Sequence, residues 1–461
     1  MTKPRTAAIQ YAHDHRPQFL NELNEFASIP SVSTEPANKE DVQRAAEWLA
    51  NHLKDLGMEN IQIFSTARHP IVYGDYLKAG ANAQIALVYG HFDVQPAEPL
   101  ELWHSDPFTP QMRGENLYAR GTTDMKGQII AILAAIEAIK QTSGLPINFK
   151  FIFEGEEEIG SPNLTNFIPE HKELLASDFA VNPDTGMIDL DLPTITYGLR
   201  GLAYFELRVT GPDHDLHSGQ FGGEIHNPAQ ALCELIAGMH DEQHRVTLPG
   251  FYDKVRSLSA EERLSLSQLP GVDEATVLKH TGAPALYGEA GYSPIERSSA
   301  RPTLEVNGLL SGYTGSGSKT VLPAWAMAKI SMRLVPDQDP KMVEQQLRAY
   351  MQAHAPNTIR WEIIDLQGGS ASISDRNSPA VKAMVKAFDT VWGKPTIFRR
   401  EGGSVPVVAQ FQQHLKIETV NTGFSLPDDN MHGPNEKLHI PTWHKGIDSL
   451  IHFFYNIADA Q

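Results

Sequence analysis

Five consecutive apolar residues, Ile85-Ala86-Leu87-Val88-Tyr89, stop at Gly90 and hand over to His91-Phe92-Asp93-Val94. A short, uniformly apolar run closed by glycine reads as a strand buried on both faces, the condition of a parallel sheet covered by helices. His91 and Asp93 are two positions apart, so both leave the strand tip on one face. Further strands are expected over 61–64, 149–153 and 179–181. Between them, 41–56 places Val42, Ala45, Leu49 and Leu53 on one helical face, and 128–139 repeats Ile129, Ile132, Leu133 and Ile136 at helical spacing. This alternation predicts an α/β fold with a mainly parallel sheet, which carries its chemistry beyond the strands' carboxyl ends.

The rhythm changes near Tyr197. Residues 202–209 alternate apolar and polar side chains, the mark of a sheet with one wet face. A helix over 228–240, strands over 303–309 and 326–334, a helix over 341–354 and a strand over 359–364 follow. Strand, helix, two strands, helix, strand is the ferredoxin-like order of an α+β module. The polar stretch 242–301 is too long for a plain loop and is expected to carry its own structure or cover a partner surface. After Ser372 the first rhythm returns, with helices over 379–392 and 442–457 and a strand over 417–420. A chain of 461 residues exceeds a single core. The expected division is therefore one α/β domain, 1–197 and 373–461, interrupted by an inserted domain, 198–372.

Charge and cysteine content narrow the chemistry. A formal charge of -18 disfavours nucleic acid, whose binding needs clustered Lys and Arg. Cys233 is the only cysteine, so no intrachain disulfide, Cys-rich zinc site or Cys-ligated iron–sulfur cluster can form. Any metal must be held by His, Asp and Glu. Met1-Thr2-Lys3-Pro4-Arg5 opens no apolar leader, and no run approaches the roughly 18 apolar residues of a membrane span, so a cytoplasmic protein without a membrane partner is expected.

Metal-capable side chains recur at the strand ends. Gly121-Thr122-Thr123-Asp124-Met125-Lys126-Gly127 precedes the apolar helix, and Glu154-Gly155-Glu156-Glu157-Glu158 follows a strand. Asp184 follows another, and Asp428-Asp429-Asn430-Met431-His432-Gly433-Pro434-Asn435-Glu436 is a turn-rich loop with a histidine. Singly these have ordinary readings: a hydrogen-bonded structural histidine at 91, a turn or cap at Asp124, a solvated acidic loop, an Asx turn at Asp184. Together, two histidines and several carboxylates without cysteine suit a borderline cation such as zinc, manganese or cobalt. A paired-metal site needs one bridging carboxylate and another left free as a base, and the acidic cluster supplies both.

Other motifs are less specific. His214-Asp215-Leu216-His217-Ser218-Gly219 mimics a metal site through its paired histidines. Gly315-Ser316-Gly317-Ser318-Lys319-Thr320 lacks the phosphate-loop frame, because Ser318 replaces the glycine before lysine. Arg333 suits bidentate capture of a free α-carboxylate, or an ordinary surface ion pair. Ser404, where a glycine-rich turn starts a helix, suits an anion or a plain N-cap.

With these motifs together, the chain resembles the M20 metallopeptidases, in the branch of the cytosolic nonspecific dipeptidase and carnosinase, over essentially its whole length. The resemblance implies a zinc-peptidase catalytic domain interrupted by a ferredoxin-like lid and dimerisation domain. It implies that His91 and Asp184 bind one metal and Glu158 and His432 the other, with Asp124 bridging, Asp93 orienting His91 and Glu157 as general base. His217 would reach the active site of the other protomer of a homodimer and stabilise the oxyanion, while Thr320, Arg333 and Ser404 contact substrate. Glu154 and Glu156 match no functional position and are expected as surface residues or supports. The implied cofactor is two divalent ions per chain, zinc first, with manganese or cobalt as alternatives. The implied reaction is hydrolysis of dipeptides with a free C-terminal carboxylate, by metal-activated water. An N-acyl-amino-acid deacylase or a carboxypeptidase on the same scaffold is the alternative; a noncatalytic metal-binding interaction protein is the reading from another class.

Overall fold

The computed structural model describes residues 3–403 and 405–460. The chain clusters into two compact units, one formed by Met1–Tyr197, Ser374–Arg399 and Val407–Gln461, the other by Gly198–Ile373 and Arg400–Pro406.

The first unit is built on a six-stranded sheet in the order Glu59–Phe64, Ile71–Tyr76, Asn148–Glu154, Ile85–His91, Phe179–Asn182, Glu418–Asn421. The last four run parallel. The first two form an antiparallel edge. Strand Ile71–Tyr76 escapes the periodicity, because Pro70 precedes it and Gly74 interrupts it. The packing at Gly74 is tight: a Cβ there would sit 3.2 Å from Leu53 Cδ1 on the covering helix Lys39–Asp55. Phe149, Phe151 and Phe153 are fully buried on one face of their strand, and Phe149 meets Phe454 edge-on at 4.9 Å.

Helix Lys126–Ser143 is buried from Lys126 through Ile139. Helices Lys3–Asp14, Arg16–Ala27 and Ile440–Asp459 all pack on it, so no face is left for water and apolar residues occur all round. Among the described residues, no helix is long and apolar enough to cross a membrane.

The second unit holds an antiparallel sheet in the order Thr303–Ser311, Trp325–Leu334, Gly201–Thr210, Arg360–Gly369. Helices Pro228–Ala237 and Pro340–His354 pack on it, completing the ferredoxin-like arrangement. Ala203, Phe205, Leu207 and Val209 face its core, and Arg208 faces water. The first helix stops before Gly238, short of the expected 240. The stretch 242–301 carries helices Ala260–Ser267, Glu274–Thr281 and Pro294–Ser299. Its anchor is Arg301, which forks onto Glu289 at 2.6 and 2.7 Å between the rings of Tyr252 and Tyr292. Arg400–Pro406 joins this unit through its partners: Arg400 Nε donates to Glu262 Oε1 at 2.8 Å, and Arg200 donates to the carbonyls of Gly402 and Gly403 at 3.1 Å each.

Candidate metal centre

Strands Ile85–His91 and Asn148–Glu154 pair in parallel with His91 opposite Glu154, so the histidine motif and the acidic motif leave the sheet side by side. His91 is fully buried. Its Nδ1 lies 3.0 Å from the main-chain carbonyl of Asp93; a carbonyl only accepts, so Nδ1 carries a proton and Nε2 is the nitrogen turned towards the carboxylates. Nε2 lies 3.1 Å from Asp124 Oδ1 and 3.7 Å from Asp184 Oδ1. The other oxygen of Asp124 lies 2.8 Å from His432 Nε2, which is also 3.3 Å from Glu158 Oε2. Ligand-capable atoms of His91, Asp124 and Glu158 fall within 4.8 Å of one another, and so do those of His91, Glu157 and Asp184. The structure thus gathers all six residues at one end of one sheet, with Asp124 between the two histidines.

Asp93 is fully buried, and its carboxylate does something the sequence does not announce. It lies 3.5 Å from His91 Nδ1, while its two oxygens accept the backbone N–H groups of Glu157 (3.2 Å) and Glu158 (3.1 Å). One residue therefore orients the histidine through its main chain and the acidic turn through its side chain. Glu154 and Glu156 are both buried, which corrects the surface half of their expected reading. Glu154 accepts from Tyr89 and Ser161, each at 2.8 Å; Glu156 accepts from His69 N at 2.8 Å and from Asn163. Both are supports.

Sequence reasoning missed three further supports. Glu436 accepts hydrogen bonds from Arg120, Gly121 N, Thr123 N and Asp124 N, and Asp429 accepts from the Thr123 hydroxyl at 2.9 Å. Gln95 Nε2 donates to Glu158 Oε2 at 2.7 Å. His432, with φ +62°, holds a left-handed conformation flanked by Asn430 (+54°) and Asn435 (+60°). Such a backbone costs a non-glycine residue on the order of 1 kcal/mol, and it concentrates at functional loops. Glycine is obligatory at two close approaches: a Cβ on Gly127 would sit 2.1 Å from Thr122 O, and one on Gly423 would sit 1.6 Å from Thr185 O, beside Asp184.

The electrostatics fit a cation. Burial lifts Glu157 and Glu158 well above the usual carboxylate range, and neighbouring carboxylates add to this. Burial alone would lower His91, yet Asp124, Asp184 and Asp93 outweigh it and hold it well above the usual histidine value. His432 is raised by its hydrogen bond to Asp124. Asp124 itself, despite burial, is held well below its usual value by His432 and His91. Protons on the histidines and glutamates balance charge that divalent cations would balance once those protons leave. The donor set, imidazole and carboxylate without thiolate, suits zinc, manganese or cobalt.

The remaining predicted residues belong to the second unit. His217 is exposed, and its Nδ1 accepts the N–H of Gly219 at 2.9 Å, which leaves the ring proton on Nε2. Leu216–His217 pairs antiparallel with Val321–Leu322, and Ser218 N donates to Thr320 O at 3.1 Å, so His217 and Thr320 are neighbours. Arg333 lies on strand Trp325–Leu334 opposite Leu202 and Thr303. Ser404 lies outside the described residues.

Residues 87–456 match Peptidase family M20/M25/M40. The chain belongs to this family. As an M20 peptidase it is a hydrolase, and its relatives include dipeptidases. It is 31% identical to the Cys-Gly metallodipeptidase DUG1 of Candida albicans over 95% of both chains. It is 29% identical to the Beta-Ala-His dipeptidase of Homo sapiens over 98% of this chain and 92% of that one. The crystal structure of the M20 family metallo-carboxypeptidase Sso-CP2 from Sulfolobus solfataricus superposes with a TM-score of 0.85 at 32% identity, covering 96% of this chain and 99% of that one.

Proposed function

We propose that this M20 peptidase is a dinuclear metal-dependent dipeptidase. The observation that carries the reading is the convergence of His91, Asp124, Glu157, Glu158, Asp184 and His432 on one sheet end, in a chain whose relatives include dipeptidases. His91 and Asp184 would hold one ion and Glu158 and His432 the other, with Asp124, which turns one oxygen towards each histidine, serving both. When bound, two such ions lower the pKa of water and polarise the scissile carbonyl. Glu157 takes the proton of the attacking water and returns it to the leaving amine; its raised pKa brings a carboxylate towards the range a general base needs. His217, protonated on Nε2, donates to the developing oxyanion across a homodimer. Thr320, Arg333 and Ser404 receive the substrate, with Arg333 forked onto its free carboxylate.

A carboxypeptidase is the second reading, favoured by the likeness to the Sulfolobus solfataricus enzyme. Turnover of a panel of dipeptides, tripeptides and N-acyl amino acids with added Zn²⁺ or Mn²⁺ separates the alternatives. The dipeptidase reading expects dipeptides to be cleaved and the other two classes to be poor substrates. Preference for longer peptides or for acyl amides overturns it.

A further inference from the structure

Asp124 is held at its backbone as firmly as at its carboxylate. Glu436, fully buried, accepts Arg120 Nη1 at 2.7 Å and Gly121 N at 2.9 Å on one oxygen, and Thr123 N at 3.0 Å and Asp124 N at 3.2 Å on the other. Four donors from five consecutive residues thus converge on one side chain more than 300 positions away. Arg120 is buried with it as its counter-ion. Four residues before Glu436, His432 meets the Asp124 carboxylate at 2.8 Å. The intervening loop is pinned by Asn435, which accepts His104 N and donates to Leu102 O at 2.8 Å each. One short loop therefore grips Asp124 at both ends, the carboxylate through His432 and the peptide N–H through Glu436.

We infer that Glu436 is a positioning residue that fixes Asp124 for simultaneous contact with two metal ions. A carboxylate shared by two ions tolerates little displacement, because moving it towards one ion lengthens its bond to the other. Neutralising Glu436 removes the charge that draws three backbone N–H groups and a guanidinium into line. The Arg120–Asp124 turn then loses the reference that sets Asp124 against His91 and His432. The inference rests on the dinuclear reading above.

The test compares Glu436→Gln and Glu436→Asp with the wild-type chain, by calorimetric Zn²⁺ titration against a competing chelator and by melting of the metal-free and metal-loaded forms. Outer partners of metal ligands commonly carry about 10- to 100-fold in affinity, and a loss of that size is expected for both variants. The metal-induced rise in Tm should shrink accordingly. If Glu436→Gln does not fold, the shorter Glu436→Asp keeps the charge and carries the test. A purely structural Glu436 would lower the metal-free and metal-loaded Tm together while affinity stayed within about twofold of wild type; that result overturns the inference. A wild-type chain that binds no zinc overturns the dinuclear reading, and this inference with it. Wild-type binding with unchanged variant affinity overturns the inference alone.

Discussion

The two ends of Asp93 serve different partners. Its carbonyl fixes the proton of His91, and its carboxylate fixes the turn that carries Glu157 and Glu158. Replacing the side chain leaves the carbonyl in place, so Asp93→Asn tests the carboxylate alone, in its hold on the turn and in its charge beside His91. The amide offers one acceptor where two N–H groups need two. Metal affinity should fall about 10- to 100-fold, measured by chelator competition; affinity equal to wild type would refute this division of labour. His91, Asp124, Asp184 and His432 were legible in the sequence as candidates because His91 and Asp184 follow apolar runs, Asp124 precedes an apolar helix and His432 sits in a turn-rich loop. The carboxylate's second task was not, because it depends on which amides the parallel register of two strands sets beside it. Glu436 was equally silent: its partners lie more than 300 positions away, and nothing local distinguishes it from a solvated loop acid.

Helix Lys126–Ser143 begins where the Asp124 turn ends, and the junction admits only glycine. A methyl group at Gly127 would have to displace Thr122 O, which belongs to the turn itself. Gly127→Ala should therefore cost about 1–3 kcal/mol in chemical denaturation and weaken metal binding along with it. A variant as stable as wild type and equally metal-competent would show that the turn yields freely. The long apolar helix and the parallel strands were readable from periodicity. Strand Ile71–Tyr76 was not, since Pro70 and Gly74 break its pattern and its stability comes from pairing with Asn148–Glu154. The helices over 242–301 are short and anchored by ion pairs such as Arg301–Glu289 and Arg263–Glu296, which hydrophobic spacing does not reveal.

At the scale of the whole molecule, stability and assembly are open to separate tests. Glu22 is pushed up to about 7 by burial, with the charge of Glu137 adding to it and a hydrogen bond from Gln18 opposing. A raised carboxylate binds its proton more tightly folded than unfolded, so its contribution is favourable below 4.5 and is lost as pH rises through 7. His52 is lowered to about 4 by burial, so its contribution is lost in the opposite direction, as pH falls from 6.5. Glu22→Gln should raise stability above pH 7 by up to about 3 kcal/mol and leave it near wild type below 4.5. A variant equal to wild type at both ends would remove Glu22 from the account. The proposed donation of His217 across a homodimer predicts complementation: mixing inactive His217→Ala with inactive Glu157→Ala chains should restore part of the activity, and no recovery despite demonstrated subunit exchange would confine each site to one chain. The α/β sheet and the inserted module followed from two changes of rhythm in the sequence, whereas the attachment of Arg400–Pro406 to the second unit depends on Arg200 and Glu262 and had no periodic signal. The central claim, a dinuclear centre with Glu157 as base, is tested most directly by titrating Zn²⁺ or Mn²⁺ into metal-stripped enzyme while following hydrolysis of a dipeptide. Activity should rise from near zero to a maximum at two ions per chain, with Glu157→Gln binding the same two ions and staying inactive; full turnover in the stripped enzyme, or an active Glu157→Gln, would contradict it.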